Sequence, residues 1–329
     1  MSPFDPLTAH YKIAVKAMLQ GRVVPLLGAG VNLCGRPEDQ SWHAGAEFLP
    51  SGGELAHHIA ESFAYPEDID DHDLVRVSQY AAVMAGSAPL YDELHQIFEA
   101  QYPPTPLHRF LAKLPQTFRD RGQDPKYQVI VTTNYDDALE TAFREENEPF
   151  DVVTYIAEGE EQGHFLHCPP EAEGRVIEIP NEYTELPVDE RGNPQERTVI
   201  LKIHGAVDRE NPMQDSYVIT EDHYIDYLTR SEISSLVPST LVAKLKNSHL
   251  LFLGYSMRDW NLRVIMHRIW GEQKLTFASW SVQLHPDPME QQFWNLRGVQ
   301  IFDVSLSDYV DALSSYLSEE TKPAEAAQQ

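Results

Sequence analysis

The chain has 329 residues, 42% apolar and 10% aromatic, which is enough for a large core in one or two domains and too hydrophobic for a disordered polymer. Lys and Arg number 25 against 51 Asp and Glu, a net charge of −26 that repels phosphate backbones; with no basic run anywhere, direct nucleic-acid binding is not expected. No apolar stretch reaches the roughly 18 residues of a membrane span, MSPFDPLTAHYK does not read as a signal peptide, and Cys34 and Cys168 give neither a CxxC pair nor a disulfide framework, so a reducing cytoplasm is the expected compartment.

In chain order, the first strand is predicted at 23–27 (VVPLL) and ends abruptly in Gly28-Ala29-Gly30. Residues 52–126 are mainly helical in pattern; in TPLHRFLAKL, Leu107, Phe110, Leu111 and Leu114 recur at helical spacing. A second strand is predicted at 128–132 (QVIVT), followed by a short helical stripe of Leu139, Ala142 and Phe143. Residues 151–198 are polar, acidic and rich in Pro and Gly, and read as an excursion that could hold a β-hairpin. Further strands are predicted at 199–203 (VILKI), 249–253 (HLLFL), 278–284 (ASWSVQL) and 299–304 (VQIFDV), with a helix marked by Leu262, Ile265 and Ile269 among them. Short, nearly continuous apolar strands alternating with amphipathic helices predict an α/β fold, a doubly wound and mostly parallel sheet with a smaller helical lobe. The expected division is a main domain over 1–51 and 127–318, an inserted lobe over 52–126, the polar insertion 151–198 within the main domain, and a frayed tail over 319–329.

Four polar motifs each follow a predicted strand: Gly28-Ala29-Gly30, Thr132-Thr133-Asn134-Tyr135-Asp136, His204-Gly205 and Gly254-Tyr255-Ser256. In an open α/β sheet ligands bind beyond the carboxyl ends of the strands, so the four are expected to face one crevice. Gly-Ala-Gly is compatible with a tight turn or with backbone amides approaching an anion; GxGxxG and the P-loop Gly-Lys-Ser/Thr are both missing. Asn134 and Asp136 can cap the next helix, or orient a ribose hydroxyl or a water and accept from an amide. His204 can be a buried hydrogen-bonding group or a general base. Gly205 would allow a ligand or a backbone to come close, Ser256 offers a hydroxyl, and Asp259 would favour the N-terminus of the next helix. His164, His167 and Cys168 (HFLHC) lack an evident fourth ligand, so no metal is expected; His57-His58 and Asp68–Asp73 read as solvated surface. Without a GxSxG elbow a serine hydrolase is disfavoured.

Taken in order, GAG, TxNxD, HG and GxS over residues 22–304 resemble the sirtuin family, and in particular its bacterial sirtuin-like branch linked to antiphage defence by NAD depletion. LLFLGYSMRDWN and NLRGVQIFDVSLSDYVDAL share that likeness. The resemblance implies a Rossmann-like domain with Gly28, Ala29 and Gly30 at the pyrophosphate and Asn134 and Asp136 by the nicotinamide ribose and carboxamide. It further implies His204 as the catalytic histidine, Gly254 and Ser256 at the adenine-side ribose or phosphate, and Gln283 near the adenosine. Arg36 and Asp39 lie in GRPEDQSW, which loosely resembles the family's nicotinamide-proximal loop. Two departures stand out. No cysteines follow His204, where protein-deacylating sirtuins carry four zinc ligands, and Val31-Asn32 replaces the family serine after GAG.

The function this implies is hydrolysis of the nicotinamide–ribose bond, with NAD as substrate, no metal, and a role in antiphage defence by abortive infection. The alternatives are an NAD-dependent protein deacylase and a non-catalytic NAD or ADP-ribose-binding module. An enzyme that destroys NAD must be held off until needed, so regulation by homo-oligomerisation or by a sensor or ATPase partner is expected.

Overall fold

The computed structural model describes residues 5–229, 237–256 and 277–320. The stripe expected over Leu262, Ile265 and Ile269, the role expected of Asp259, and the tail beyond residue 320 lie outside the described residues. Helix α1 (Pro6–Leu19) starts where the Asp5 carboxylate accepts from the amides of Leu7 and Thr8, with Pro6 pre-set in the first turn. Strand β1 (Val23–Leu27) is buried along its whole length. Three helices follow, α2 (Gly52–Ser62), α3 (Leu74–Ala85) and α4 (Ser87–Phe98), then α5 (Pro106–Arg119). A Ser51/Glu54 capping box opens α2, and the Asp73 carboxylate caps α3.

Strand β2 (Val129–Thr132), α6 (Ala138–Glu145), β3 (Phe150–Tyr155), β4 (Phe165–Cys168) and β5 (Arg175–Ile177) come next, then β6 (Thr198–Lys202) and the small pair β7 (Gly205–Ala206) and β8 (Ser216–Tyr217). The chain continues through α7 (Glu221–Thr229), α8 (Ser239–Lys246), β9 (His249–Leu253), β10 (Ser279–Gln283), α9 (Pro288–Asn295), β11 (Val299–Asp303) and α10 (Leu306–Glu320).

The sheet runs β11-β10-β9-β1-β2-β6-β3-β4-β5, parallel from β11 to β3 and antiparallel across β4 and β5. From β1 the chain winds outward through β2 to β3, with β6 between them; it then crosses to β9, on the other side of β1, and winds away through β10 and β11. The winding therefore reverses between β1 and β9, which is where a crevice opens in a doubly wound fold. The Leu27 carbonyl accepts from the Thr133 amide, so alternate residues of β1 turn their backbone groups toward β2. Pro25 falls on that side, and the β1–β2 ladder begins just past it, at Leu26.

Strand alternation splits the core. Val24, Leu26, Val129, Val131, Val199 and Leu201 bury one face, covered by α7 and α8. Val23, Leu27, Ile130, Ile200, Leu251 and Leu253 bury the other, under α1, α5, α6 and α10. A third core, built from α2, α3 and α4 with Trp42 and Leu49, packs onto Tyr135, Ala138, Tyr217 and Ile219. Helix α5 belongs to the sheet-covering layer and touches α6 and α10. Strand β3 was not among the predicted strands. Its residues alternate between buried and half-buried positions, so FDVVTY lacks the continuous apolar run that marks the other parallel strands. No helix among the described residues is long and apolar enough to cross a membrane.

Candidate active site

A cleft of about 600 Å³ opens at the carboxyl ends of β1, β2, β6 and β9, within the size range of small-molecule sites. It is lined by Gly28, Ala29, Gly30, Asn134, Asp136, His204, Gly254 and Ser256, together with Pro50–Gly53 and Leu55 at the start of α2 and His72–Val75 at the start of α3. Gln283, at the end of β10, is not among the lining residues, and Asp39 is exposed away from it. Arg36 is a strut: its guanidinium is salt-bridged to Glu54 at 2.9 Å and lies over the Phe48 ring, fixing the segment before α2.

The glycines have a reason that neither sequence-level reading contained. Gly28 sits at φ −109°, an ordinary extended conformation, so left-handed freedom is not what it supplies. A Cβ on Gly28 would lie 2.8 Å from the Gly254 carbonyl oxygen, and one on Gly30 would lie 2.7 Å from it. Gly254 itself has φ +72°, and a Cβ there would meet the Val31 nitrogen at 2.3 Å. The loops after β1 and β9 interlock backbone to backbone: the Gly28 amide donates to the Leu253 carbonyl at 3.0 Å and the Gly30 amide to the Gly254 carbonyl at 2.9 Å. Gly205 is likewise needed by the protein, since a Cβ at its φ of +87° would strike the Ser216 carbonyl on β8.

Asn134 is buried and held on both sides. Its amide donates to the Thr132 hydroxyl at 3.0 Å, and its Nδ2 donates to the Gly28 carbonyl at 3.4 Å. A carbonyl can only accept, so this contact sets the side-chain amide with Oδ1 turned the other way, and that oxygen has no hydrogen-bond partner among the described residues. Asn32 repeats the arrangement: Nδ2 donates to the Pro50 carbonyl at 2.9 Å, and the buried Oδ1 is unpartnered. Asn32 lines the cleft and was not singled out as a site residue from the sequence; the missing signal was the contact with Pro50. Asp136 accepts from the Ala138 amide at 3.0 Å one residue ahead of the N-cap position of α6, which Asp137 occupies, and burial pushes its carboxyl up against the opposing pull of the nearby Lys202 charge.

His204 packs edge-on against Tyr224 and Tyr227, with Nδ1 3.4 Å from the Tyr224 hydroxyl. Its Nε2 is buried with no hydrogen-bond partner among the described residues. Burial drives the imidazole down to about 3, so the ring is neutral at pH 7. Three orphaned polar atoms thus belong to residues of one cleft: Asn32 Oδ1, Asn134 Oδ1 and His204 Nε2. Unsatisfied buried groups are costly in a folded protein, and a polar ligand in the cleft would relieve these three.

The HFLHC residues do not converge. His167 lies between Asp151 at 2.7 Å and the Tyr183 hydroxyl at 2.6 Å, with Arg197 on the same Asp151. Cys168 follows on the opposite face of β4, and the His164 ring meets the Glu161 carbonyl. Among the described residues, one group of three metal-type donors gathers, Asp70, Asp71 and His72 at the surface, where His57 pairs with Asp71 at 2.6 Å.

A doubly wound sheet with polar residues gathered at its winding reversal defines a ligand-binding α/β protein. The family model for the SIR2-like domain matches residues 128–302, and the chain belongs to that family. It is 21% identical over 238 residues to defense-associated sirtuin 2 of Bacillus subtilis, covering 71% of this chain and 19% of that protein. It is 28% identical over 205 residues to the NAD(+) hydrolase ThsA of Acinetobacter baumannii, covering 61% of this chain and 32% of that protein. The matched stretch thus spans 19% and 32% of the length of these relatives. A solved structure described under the mechanism and regulation of Sir2 enzymes aligns over 95% of this chain and 98% of its own, at 11% identity and a TM-score of 0.41; the fold assignment here rests on the observed strand order alone.

Proposed function

We propose that this chain hydrolyses NAD to nicotinamide and ADP-ribose, as part of a defence response that depletes the dinucleotide. The observation that supports it is the pairing of two orphaned atoms, Asn134 Oδ1 and His204 Nε2, on residues of the same cleft. The names of two relatives, one an NAD hydrolase and one a defence-associated sirtuin, point the same way.

The chemistry follows from the donor set. Loss of nicotinamide breaks the bond from the ribose carbon to the ring nitrogen; the electron pair leaves with the ring, and positive charge builds on the ribose. Neutral acceptor oxygens such as Asn32 Oδ1 and Asn134 Oδ1, buried and unpartnered, favour that charge. Asn134 would orient the attacking water. As the new carbon–oxygen bond forms, that water becomes strongly acidic, so even the weakly basic His204 can take its proton at Nε2. A neutral imidazole also avoids placing a second cation beside the pyridinium of the substrate. His204 could alternatively deprotonate a ribose hydroxyl.

The test is purified chain incubated with NAD, with and without an acylated peptide, and products separated by chromatography. Release of nicotinamide and ADP-ribose without peptide, abolished in Asn134→Ala and His204→Ala, is the expected result. Turnover only with peptide would establish a deacylase. Activity undiminished in both variants would remove these residues from the reaction. Because the relatives are much longer, control of the activity by further segments, self-association, or a sensor or ATPase partner belongs to the same proposal.

A further inference from the structure

We propose that Lys202 is a positioning residue for the cleft: its buried ammonium, paired with Glu140, clamps the Asn134–Asp136 turn onto the strand that leads into His204. This rests on the reading of the cleft as an NAD-hydrolysing site. Lys202 is the last residue of β6 and only 1% exposed. Its Nζ lies 2.8 Å from Glu140 Oε1 on α6 and donates to the backbone carbonyl of Asp136. One side chain therefore ties together the strand that ends two residues before His204, the turn that carries Asn134, and the helix that follows that turn.

A lysine so buried is not explained by stability. Taking both charges out of water is costly, and apolar side chains of similar volume commonly fold as well or better. What an apolar pair cannot do is hold a carbonyl oxygen at a fixed place. The turn is also held by the Asn134 amide on the Thr132 hydroxyl, Asn134 Nδ2 on the Gly28 carbonyl, the Tyr135 hydroxyl on the Val218 carbonyl, the Val207 amide on the Tyr135 carbonyl and the Asp136 carboxylate on the Ala138 amide; Lys202 Nζ is what ties the Asp136 carbonyl to β6. The titratable groups near the pair are the Asp136 carboxyl and the His108 imidazole on α5. The ammonium also supplies the charge that opposes protonation of Asp136.

The experiment compares the wild-type chain with the double variant Lys202→Met/Glu140→Leu, which removes both charges at similar volume, and with Lys202→Met/Glu140→Gln, which removes the same charges and keeps a polar group on α6. Melting temperature, hydrogen exchange of amides 133–138, and the pH profile of NAD turnover are measured on each. In the double variant we expect a melting temperature near wild type and exchange of 133–138 faster by about tenfold or more. We also expect a kcat lower by a similar factor with KM nearly unchanged, as misplacement of reacting groups produces. The acid limb of kcat/KM should move to higher pH, because Asp136 loses its cationic neighbour. A folded double variant with wild-type exchange, or with wild-type kcat, overturns the proposal. If the double variant does not fold, the same two readouts on Lys202→Met/Glu140→Gln, which also removes the donor to the Asp136 carbonyl, decide in the same way. If the wild-type chain itself leaves NAD intact, the NAD reading fails, and exchange of 133–138 alone still decides whether Lys202 holds the turn.

Discussion

The Gly30 amide donates to the Gly254 carbonyl at 2.9 Å, joining a loop near the start of the chain to one near its last third. That bond brings the two windings of the sheet into register around the cleft. A methyl group at Gly30 would stand 2.7 Å from the same oxygen, and backbone cannot step aside as a flexible side chain can. Gly30→Ala should therefore cost about 1–3 kcal/mol of stability, the usual range for overpacking, and weaken NAD binding as well. Thermal melts with and without NAD check both; a variant as stable and as responsive to NAD as wild type would contradict the interlocking role.

His204→Ala and Asn134→Ala should each lower kcat by about 10²–10⁴, the span associated with a well-placed acid or base. If the two act on the same water, the double variant should lose little more than the worse single one. Steady-state kinetics on the three variants measures this, and simple multiplication of the two losses would mean independent roles.

Acid should unfold this protein through its histidines. His10 is driven down to about 3, His108 to about 4 and His204 to about 3 by burial, against an ordinary value of 6.5. Below pH 6.5 the unfolded chain takes up protons that the folded chain refuses, so stability falls as pH drops from 6.5 toward 4. Three such groups give a slope of up to about 4 kcal/mol per pH unit at the steepest. Urea melts at pH 7, 6 and 5 should show it, and His10→Phe should flatten the curve by roughly one proton.

The Asp151 cluster gives a prediction about metals. Asp151 is fully buried and holds His167 and Arg197 together. Asp151→Ala strands that partner charge and should cost about 3–5 kcal/mol. A chelator should leave the melting temperature unchanged, because His167 is already engaged on both ring nitrogens. A drop in melting temperature on chelation would revive a metal role for HFLHC.

The six predicted strands were legible because both faces of a parallel sheet are covered, which forces continuous apolar runs such as VVPLL and VILKI. Strand β3 escaped because half its side chains meet intermediate surroundings and Asp151 is buried by pairing, which looks polar in sequence. Asn134 and His204 could be picked out because each follows such a run. Asn32, Tyr224 and the Lys202–Glu140 pair could not, since their surroundings are made by residues distant in the chain: Pro50 for Asn32, and helix α6 for Lys202. Gly205 was legible as a point of close backbone approach, whereas the interlock of Gly28 and Gly30 with Gly254 was not, because a clash between two loops is invisible until both loops are folded.

Because the reversal of winding sits between β1 and β9, the cleft is lined by residues 28–30 from one winding and, packed against them, residues 254–256 from the other. A ribosome-bound intermediate that has emerged only through β8 already carries Asn134 and His204 but lacks residues 254–256. On the proposed reading, half-made protein would leave NAD untouched until the distal strands dock. Mixing a fragment ending before residue 249 with one beginning there should then restore the cleft in trans.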